Sequence, residues 1–139
     1  MSLLNPAARE LIESGKLAHL VTLAPDGSPR VAIIWVGLDG DEIVAGHLDR
    51  RQIKLRTIAA DSRVALSIES ATVNATGLQE YLVIRGSARL VEGGAPALLA
   101  RLAHTYLGPN VIFPPMLDPP QGLVSRITVE HVGGIGPWS

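Results

Sequence analysis

The stretch PDGSPRVAIIWVGLDGDEIVAG, residues 25–46, decides the fold. Pro25-Asp26-Gly27-Ser28 is a turn sequence: proline presets φ, aspartate and serine bond nearby backbone, and glycine tolerates positive φ. A strand follows from Pro29 to about Leu38. Asp39-Gly40 then signals a hairpin, because both central residues of the favoured turn need positive φ. Glu42 to Gly46 returns as the next strand, so two closely spaced turns make an antiparallel meander.

The reading extends outward in both directions. Upstream, Leu17 to Leu23 is a strand. Residues 5–14 open as a helix, with Asn5 as cap, Pro6 at the first helical position and Gly15 as the stop. Downstream, Asp49 to Asp61 carries Ile53, Leu55, Ile58 and Ala59 with basic residues between them, which predicts a short helix capped by Asp49. Arg63 to Glu69 alternates as a strand. Ser70 to Gly77 is a polar loop, and Leu78 to Glu92 is a long strand with a bulge or bend expected at Gly86. Pro96 to Tyr106 is a helix. Residues 108–122 hold five of the ten prolines and form a stiff loop. Leu123 to Val132 is the last strand, before a glycine-rich tail, Gly133 to Ser139. Six strands with two or three short helices predict a mainly β protein, a barrel with helical decoration. Strands and helices do not alternate regularly, which argues against a parallel doubly wound sheet.

Composition bounds the function. The chain has 139 residues, 47% hydrophobic and 18% charged, and is expected to be a single domain over residues 1–139 with a real core. Its apolar runs, such as Val31 to Val36, fall well short of the ~20 residues of a membrane span, and the N-terminus lacks secretory character. A cytoplasmic location is the expectation. Without cysteine there is no disulfide, thiolate chemistry or cysteine-ligated metal. A net charge of −1 argues against a nucleic-acid partner. Yet Arg50, Arg51, Lys54, Arg56 and Arg63 put five of twelve basic residues into one window whose only acid is Asp61. Such a window suits a small anionic ligand.

Several residues carry candidate chemistry. At the start of the basic helix, free N–H groups with Arg51 and Lys54 would hold a phosphate; the competing reading is a solvated basic face. Trp35, among Ile33, Ile34 and Val36, either walls a flat heterocycle or belongs to the core. Trp138, near the chain end, needs something to cover it, a pocket or a partner subunit. The histidines (His19, His47, His104 and His131) lack metal-ligand spacing, so no metal site is expected, although His47 is close enough to the basic helix to touch a ligand. No GxSxG is present, and the acidic pairs lie at a hairpin tip. No catalytic residue can be assigned, and any redox chemistry would come from a cofactor.

The segment 25–46 followed by DRRQIKLRTIAADSRVALSIE (49–69), YLVIRGSARLVE (81–92) and ITVEHVGGIGPW (127–138) resembles the deazaflavin-dependent, group B flavin/deazaflavin oxidoreductases of the pyridoxamine-phosphate-oxidase-like superfamily, common in actinobacteria. The resemblance runs from about Leu11 to Trp138. It implies a six-stranded split β-barrel of the FMN-binding type, a homodimer with cofactor sites between protomers, and coenzyme F420 as cofactor. By position, Ile33, Ile34 and Trp35 would line the ring. Arg51, Gln52, Lys54 and Arg56 would face the phosphate and acidic tail, with Arg50 adding surplus charge. Trp138 and the proline-rich loop would approach from across the dimer interface. Thr57 and Ser62 stand where many relatives have asparagine and proline. The implied activity is an F420H2-dependent reduction of a conjugated small molecule (a quinone, a biliverdin-like tetrapyrrole or an unsaturated carbonyl) in a pocket of Trp35, Val111, Ile112, Phe113 and Met116. The alternatives are an FMN oxidoreductase on the same fold, a non-enzymatic cofactor-binding protein, and a haem-binding barrel using His47 or His104.

Overall fold

The computed structural model describes residues 2–138. In chain order the elements are α1 (Pro6–Ile12), β1 (Ala18–Leu23), β2 (Pro29–Ile34), β3 (Gly37–Asp39), β4 (Glu42–His47), α2 (Ile53–Ala60), β5 (Arg63–Val73), β6 (Gln79–Glu92), α3 (Ala95–Tyr106) and β7 (Leu123–Ile135). The strands form one antiparallel sheet in the order β2-β1-β5-β6-β7-β4-β3.

That order forces the sheet to roll up. Laid flat, its two edge strands would lie about 29 Å apart at the usual strand spacing of roughly 4.8 Å. Those edges, β2 and β3, are joined only by Trp35 and Val36, a link that spans at most about 11 Å between Cα atoms. The chain therefore crosses from one edge to the other, and the sheet closes into a barrel around that crossing. Here the structure differs from expectation. The segment from Pro29 to about Leu38 is two strands, giving seven in the sheet rather than six. Trp35 and Val36 are the break.

The inward faces follow the alternation of period two. Leu20 of β1, Leu66 and Ile68 of β5, Leu82 and Ile84 of β6, and Ile127 of β7 meet in one apolar core with Ile12 of α1 and Ile43 of β4. Asn5 caps α1 as expected, its Oδ1 accepting the Ala8 N–H at 2.9 Å. The bend at Gly86 is also present. Between Arg85 and Gly86 the β7 partner jumps from His131 to Val129, leaving Glu130 as an extra residue. A Cβ at Gly86 would lie 2.0 Å from the Thr128 carbonyl oxygen, closer than any side chain permits.

Three boundaries move. The helix expected from Asp49 begins at Ile53, with Gln52 at the cap position, and β5 runs on to Val73. The glycine-rich tail continues β7 to Ile135, pairing Gly133 and Gly134 with Val83 and Leu82. Trp138 is 5% exposed, and its Nε1–H donates to the Tyr81 carbonyl at 2.8 Å. Of the two covers expected, a pocket or a partner subunit, its own chain supplies the first, and Trp138 does not need a partner to bury it. Among the described residues no helix is long and apolar enough to cross a membrane.

Gly86→Ala drives a methyl group into backbone rather than into a flexible side chain, so it should destabilise the protein by about 2–3 kcal/mol. Urea unfolding should show a lower midpoint with an unchanged slope.

Candidate functional site

The barrel is open along the crossing between β2 and β3, and a cleft of about 330 Å³ lies there. It is lined by Ile33 and Ile34 at the end of β2, Trp35 in the break, Ala45, Gly46 and His47 of β4 and Leu99 of α3, with Gln52, Lys54, Phe113, Leu17 and Leu48. Trp35 stacks on Tyr106 with ring centroids 5.3 Å apart and planes 11° from parallel, and Phe113 is tilted against it at 5.2 Å, the planes 56° apart. The Tyr106 hydroxyl accepts the Val36 N–H at 3.0 Å and donates to the Lys16 carbonyl at 2.9 Å. Backbone that left the ladder at the break is thereby satisfied, and burial raises the Tyr106 pKa, which keeps the donor protonated. Trp35 is half-buried and outside the core cluster; it packs at the break and lines the cleft.

The polar groups gather at one end. Lys54 is half-buried, burial lowers its pKa, and no carboxylate pairs with it among the described residues. The Oε1 atom of Gln52 is buried without a hydrogen-bond partner. His47 is buried, with Nε2 2.9 Å from the Ser125 hydroxyl. Burial first, and the Lys54 charge second, lower its pKa to about 4, so its imidazole is neutral near pH 7. Its backbone is pinned from behind, where a Cβ at Gly122 would lie 2.0 Å from the His47 carbonyl oxygen.

Beyond Gln52 and Lys54 the cleft continues as a trench. A hollow of about 240 Å³ shares both residues and adds Arg30 and Ile53. A further one of about 350 Å³ shares Arg30 and Ile53 and reaches Arg56. Arg30 donates to the Thr57 hydroxyl at 3.2 Å, and Thr57 in turn donates to the Ile53 carbonyl at 2.9 Å. Among the described residues neither Arg30 nor Arg56 has a carboxylate partner.

Of the residues singled out in the sequence, Ile33, Ile34, Trp35, Gln52 and Lys54 converge on the cleft, and Arg56 lies along the trench. Arg50 and Arg51 do not line either. Arg50 pairs with Glu92, forty-two residues away in sequence, and Arg51 pairs with Asp49 at 3.1 Å. Arg63 likewise pairs with Asp61 at 2.8 Å. The expectation that no acid offsets this basic window is therefore corrected. Asp49 accepts the Arg51 N–H as well as its guanidinium, which explains why it is not the cap of α2. Trp138 faces the core rather than the cleft. Of the expected loop residues only Phe113 lines the cleft, whereas Ile112 is 88% exposed. Arg30, Leu99 and Ala45 were missed; nothing local in the sequence marks them, since barrel closure brings them in. Among the described residues there is no cluster of three or more metal-ligating acids or histidines.

Residues 4–135 match the family model described as pyridoxamine 5'-phosphate oxidase. Among solved structures, one described as an F420 reductase superposes with a TM-score of 0.71 at 26% identity, over 93% of this chain and 98% of its own. A conserved hypothetical protein from Mycobacterium tuberculosis gives 0.71 at 20% identity, covering 96% of this chain and 84% of its own. General stress protein 26 from Bacillus anthracis gives 0.63 at 16%, covering 90% and 88%. The last two likenesses concern the fold alone. No curated protein matches the sequence.

The neutral, buried His47 makes stability depend on pH. An unfolded chain takes up the imidazole proton near 6.5, whereas the folded chain does so only near 4. The unfolded state therefore binds more protons in that window, and stability falls as pH drops through it, by about 2–3 kcal/mol between pH 7 and pH 4.5. Urea unfolding at the two values should show this loss, and His47→Gln should lack most of it.

Proposed function

Because this chain belongs to the pyridoxamine 5'-phosphate oxidase family, we propose that it is an oxidoreductase that uses coenzyme F420 to reduce a conjugated small molecule. The observation that carries the reading is the pairing of an aromatic-walled cleft with an unpaired, half-buried Lys54 at its end. A flat ring fits between Ile33, Ile34, Trp35 and Phe113. A phosphate fits Lys54, whose charge burial leaves without compensation. The buried oxygen of Gln52 supports the same reading, since a bound group would supply its missing donor. The likeness to a structure described as an F420 reductase favours a deazaflavin.

When bound, the reduced cofactor supplies a hydride; this chain's residues hold and shield the reacting groups. The apolar walls exclude water, and Trp35 with Phe113 offers a flat acceptor (a quinone, a biliverdin-like tetrapyrrole or an unsaturated carbonyl) a stacking surface. Neutral His47 keeps a second positive charge away from the ring. The acidic tail of F420 would run along the trench to Arg30 and Arg56 rather than to Arg50 and Arg51, which have their own partners. A homodimer completes the proposal: Val31 and Ile33 are 66% and 58% exposed on β2, the strand beside the cleft. FMN is the second reading, in keeping with membership of the pyridoxamine 5'-phosphate oxidase family, and it shares the ring and phosphate but lacks the acidic tail.

Equilibrium binding of F420, FMN and haem tests the assignment. F420 should bind at least about tenfold tighter than FMN, with the steeper dependence on salt; equal affinities or an FMN preference would reject the deazaflavin. Lys54→Ala should weaken both F420 and FMN by roughly ten- to hundredfold, the worth of one charge-assisted bond. Arg56→Ala should weaken F420 alone.

A further inference from the structure

Tyr106 meets the chain crossing with both parts of its side chain. Its ring lies nearly parallel to the indole of Trp35, 5.3 Å away between centroids. Its hydroxyl accepts the Val36 N–H at 3.0 Å, one residue beyond that indole, and donates to the Lys16 carbonyl at 2.9 Å, just ahead of β1. The residue itself ends α3, which is firmly seated. A Cβ at Gly46 of β4 would lie 3.0 Å from Leu99, and one at Gly37 of β3 would lie 2.8 Å from Leu102. Leu99, Leu102 and Tyr106 recur at helical spacing, so one face of α3 spans the crossing from β4 through β3 to the start of β1.

Trp35 needs a support of this kind. It sits between β2 and β3, outside the ladder pairs that fix side-chain direction along a strand, and it is half-buried and outside the core cluster. Its other aromatic neighbour, Phe113, is tilted against it and comes from the proline-rich loop, where Ile112 and Leu117 are almost fully exposed. A loop residue with solvated neighbours is a poorer reference than the end of a helix packed on two strands. We infer that Tyr106 is a positioning residue: its ring backs the indole of Trp35 and holds it in the orientation in which the cleft stacks a flat ligand, while its hydroxyl closes the crossing. The inference rests on the functional reading above and extends it to a residue that does not line the cleft. An indole fixed in advance binds without paying to be ordered, whereas a loose one must be ordered by the ligand, which lowers affinity.

Tyr106→Phe and Tyr106→Leu separate the two parts of the side chain, with binding measured at a temperature where every variant is folded. Tyr106→Phe keeps the ring and leaves the Val36 N–H unpaired, so it should melt lower yet bind F420 and FMN as wild type does. Tyr106→Leu loses the ring as well and should weaken both by about threefold to tenfold, the worth of one aromatic pair. Trp35→Leu supplies the reference. In that background Tyr106→Leu should cost no further affinity, because a residue that acts through the indole has nothing left to position. In ligand-free protein the Trp35 indole N–H resonance, identified by its loss in Trp35→Leu, should stay single and sharp in Tyr106→Phe and broaden or divide in Tyr106→Leu. Equal losses of affinity in Tyr106→Phe and Tyr106→Leu, or a further loss in the Trp35→Leu background, overturn the inference, since the effect would then follow stability alone. So does full affinity in Tyr106→Leu. Should Tyr106→Leu not fold, Tyr106→Phe decides by itself: affinity kept at a lower melting temperature supports the inference, and affinity lost with the stacked ring still in place overturns it. If neither F420 nor FMN binds wild type, the functional reading fails, and this inference with it.

Discussion

Everything in this molecule depends on the crossing at Trp35 and Val36. The two edge strands of a seven-stranded sheet are consecutive in sequence, and two residues cannot bridge a flat sheet. Closure follows, and it has local requirements. Curvature between β6 and β7 needs the extra residue at Glu130 and a bare Cα at Gly86. The crossing itself leaves the hydrogen-bonded ladder, so Val36 would bury an unpaired N–H were it not for Tyr106. That tyrosine comes from the last residue of α3, which is held across β4 by contact between Leu99 and the Cβ-less Gly46. The cleft is thus the gap that remains where a barrel closes through one chain crossing. Its aromatic wall is built from the residues that perform the closure.

Two populations of cations follow from the same geometry. Arg50, Arg51, Arg63, Arg89 and Arg126 lie on outward surfaces, where carboxylates reach them. Such exposed pairs contribute little stability, on the order of 0–1 kcal/mol each. Arg30, Lys54 and Arg56 face the trench, where the neighbouring surface is apolar or hydroxylic and no described carboxylate answers them. The contrast lies in company rather than in burial or in the number of charges, since Arg30 and Arg56 are as exposed as most of the paired arginines. A ligand anion meets the second group without first displacing a carboxylate.

Much of this could be read from the sequence, and the division follows range of interaction. The turns, the Asn5 cap and the Gly86 bend act over a few residues, and all are present, although the β3–β4 hairpin turns on Gly40 and Asp41 rather than on Asp39 and Gly40. The convergence of Ile33, Ile34, Trp35, Gln52 and Lys54 was legible only through the family resemblance, because β3 and β4 separate the strand from the helix in the chain. What escaped depends on long closures. Glu92 reaches Arg50 across forty-two residues, and Tyr81 holds Trp138 across fifty-seven. The expected strand ends at Val132, before the glycines, yet Gly133 and Gly134 continue it against β6, where glycine is required because a Cβ at Gly134 would lie 2.2 Å from the Tyr81 carbonyl oxygen. Arg30 went unnoticed for the same reason: only the rolled sheet sets it beside α2.

Asn5 does more than cap a helix. Its Oδ1 receives the Ala8 N–H, while its Nδ2 donates to the Pro137 carbonyl at 2.9 Å, one residue before the tryptophan that plugs the barrel. One amide therefore clasps the beginning of the chain to its end. Terminal segments usually fray independently, each with its own small opening free energy. Here the first turn of α1 and the last residues of the tail share a fastening, so opening at one end is expected to loosen the other. The two ends of the chain are expected to exchange their amide hydrogens together rather than separately.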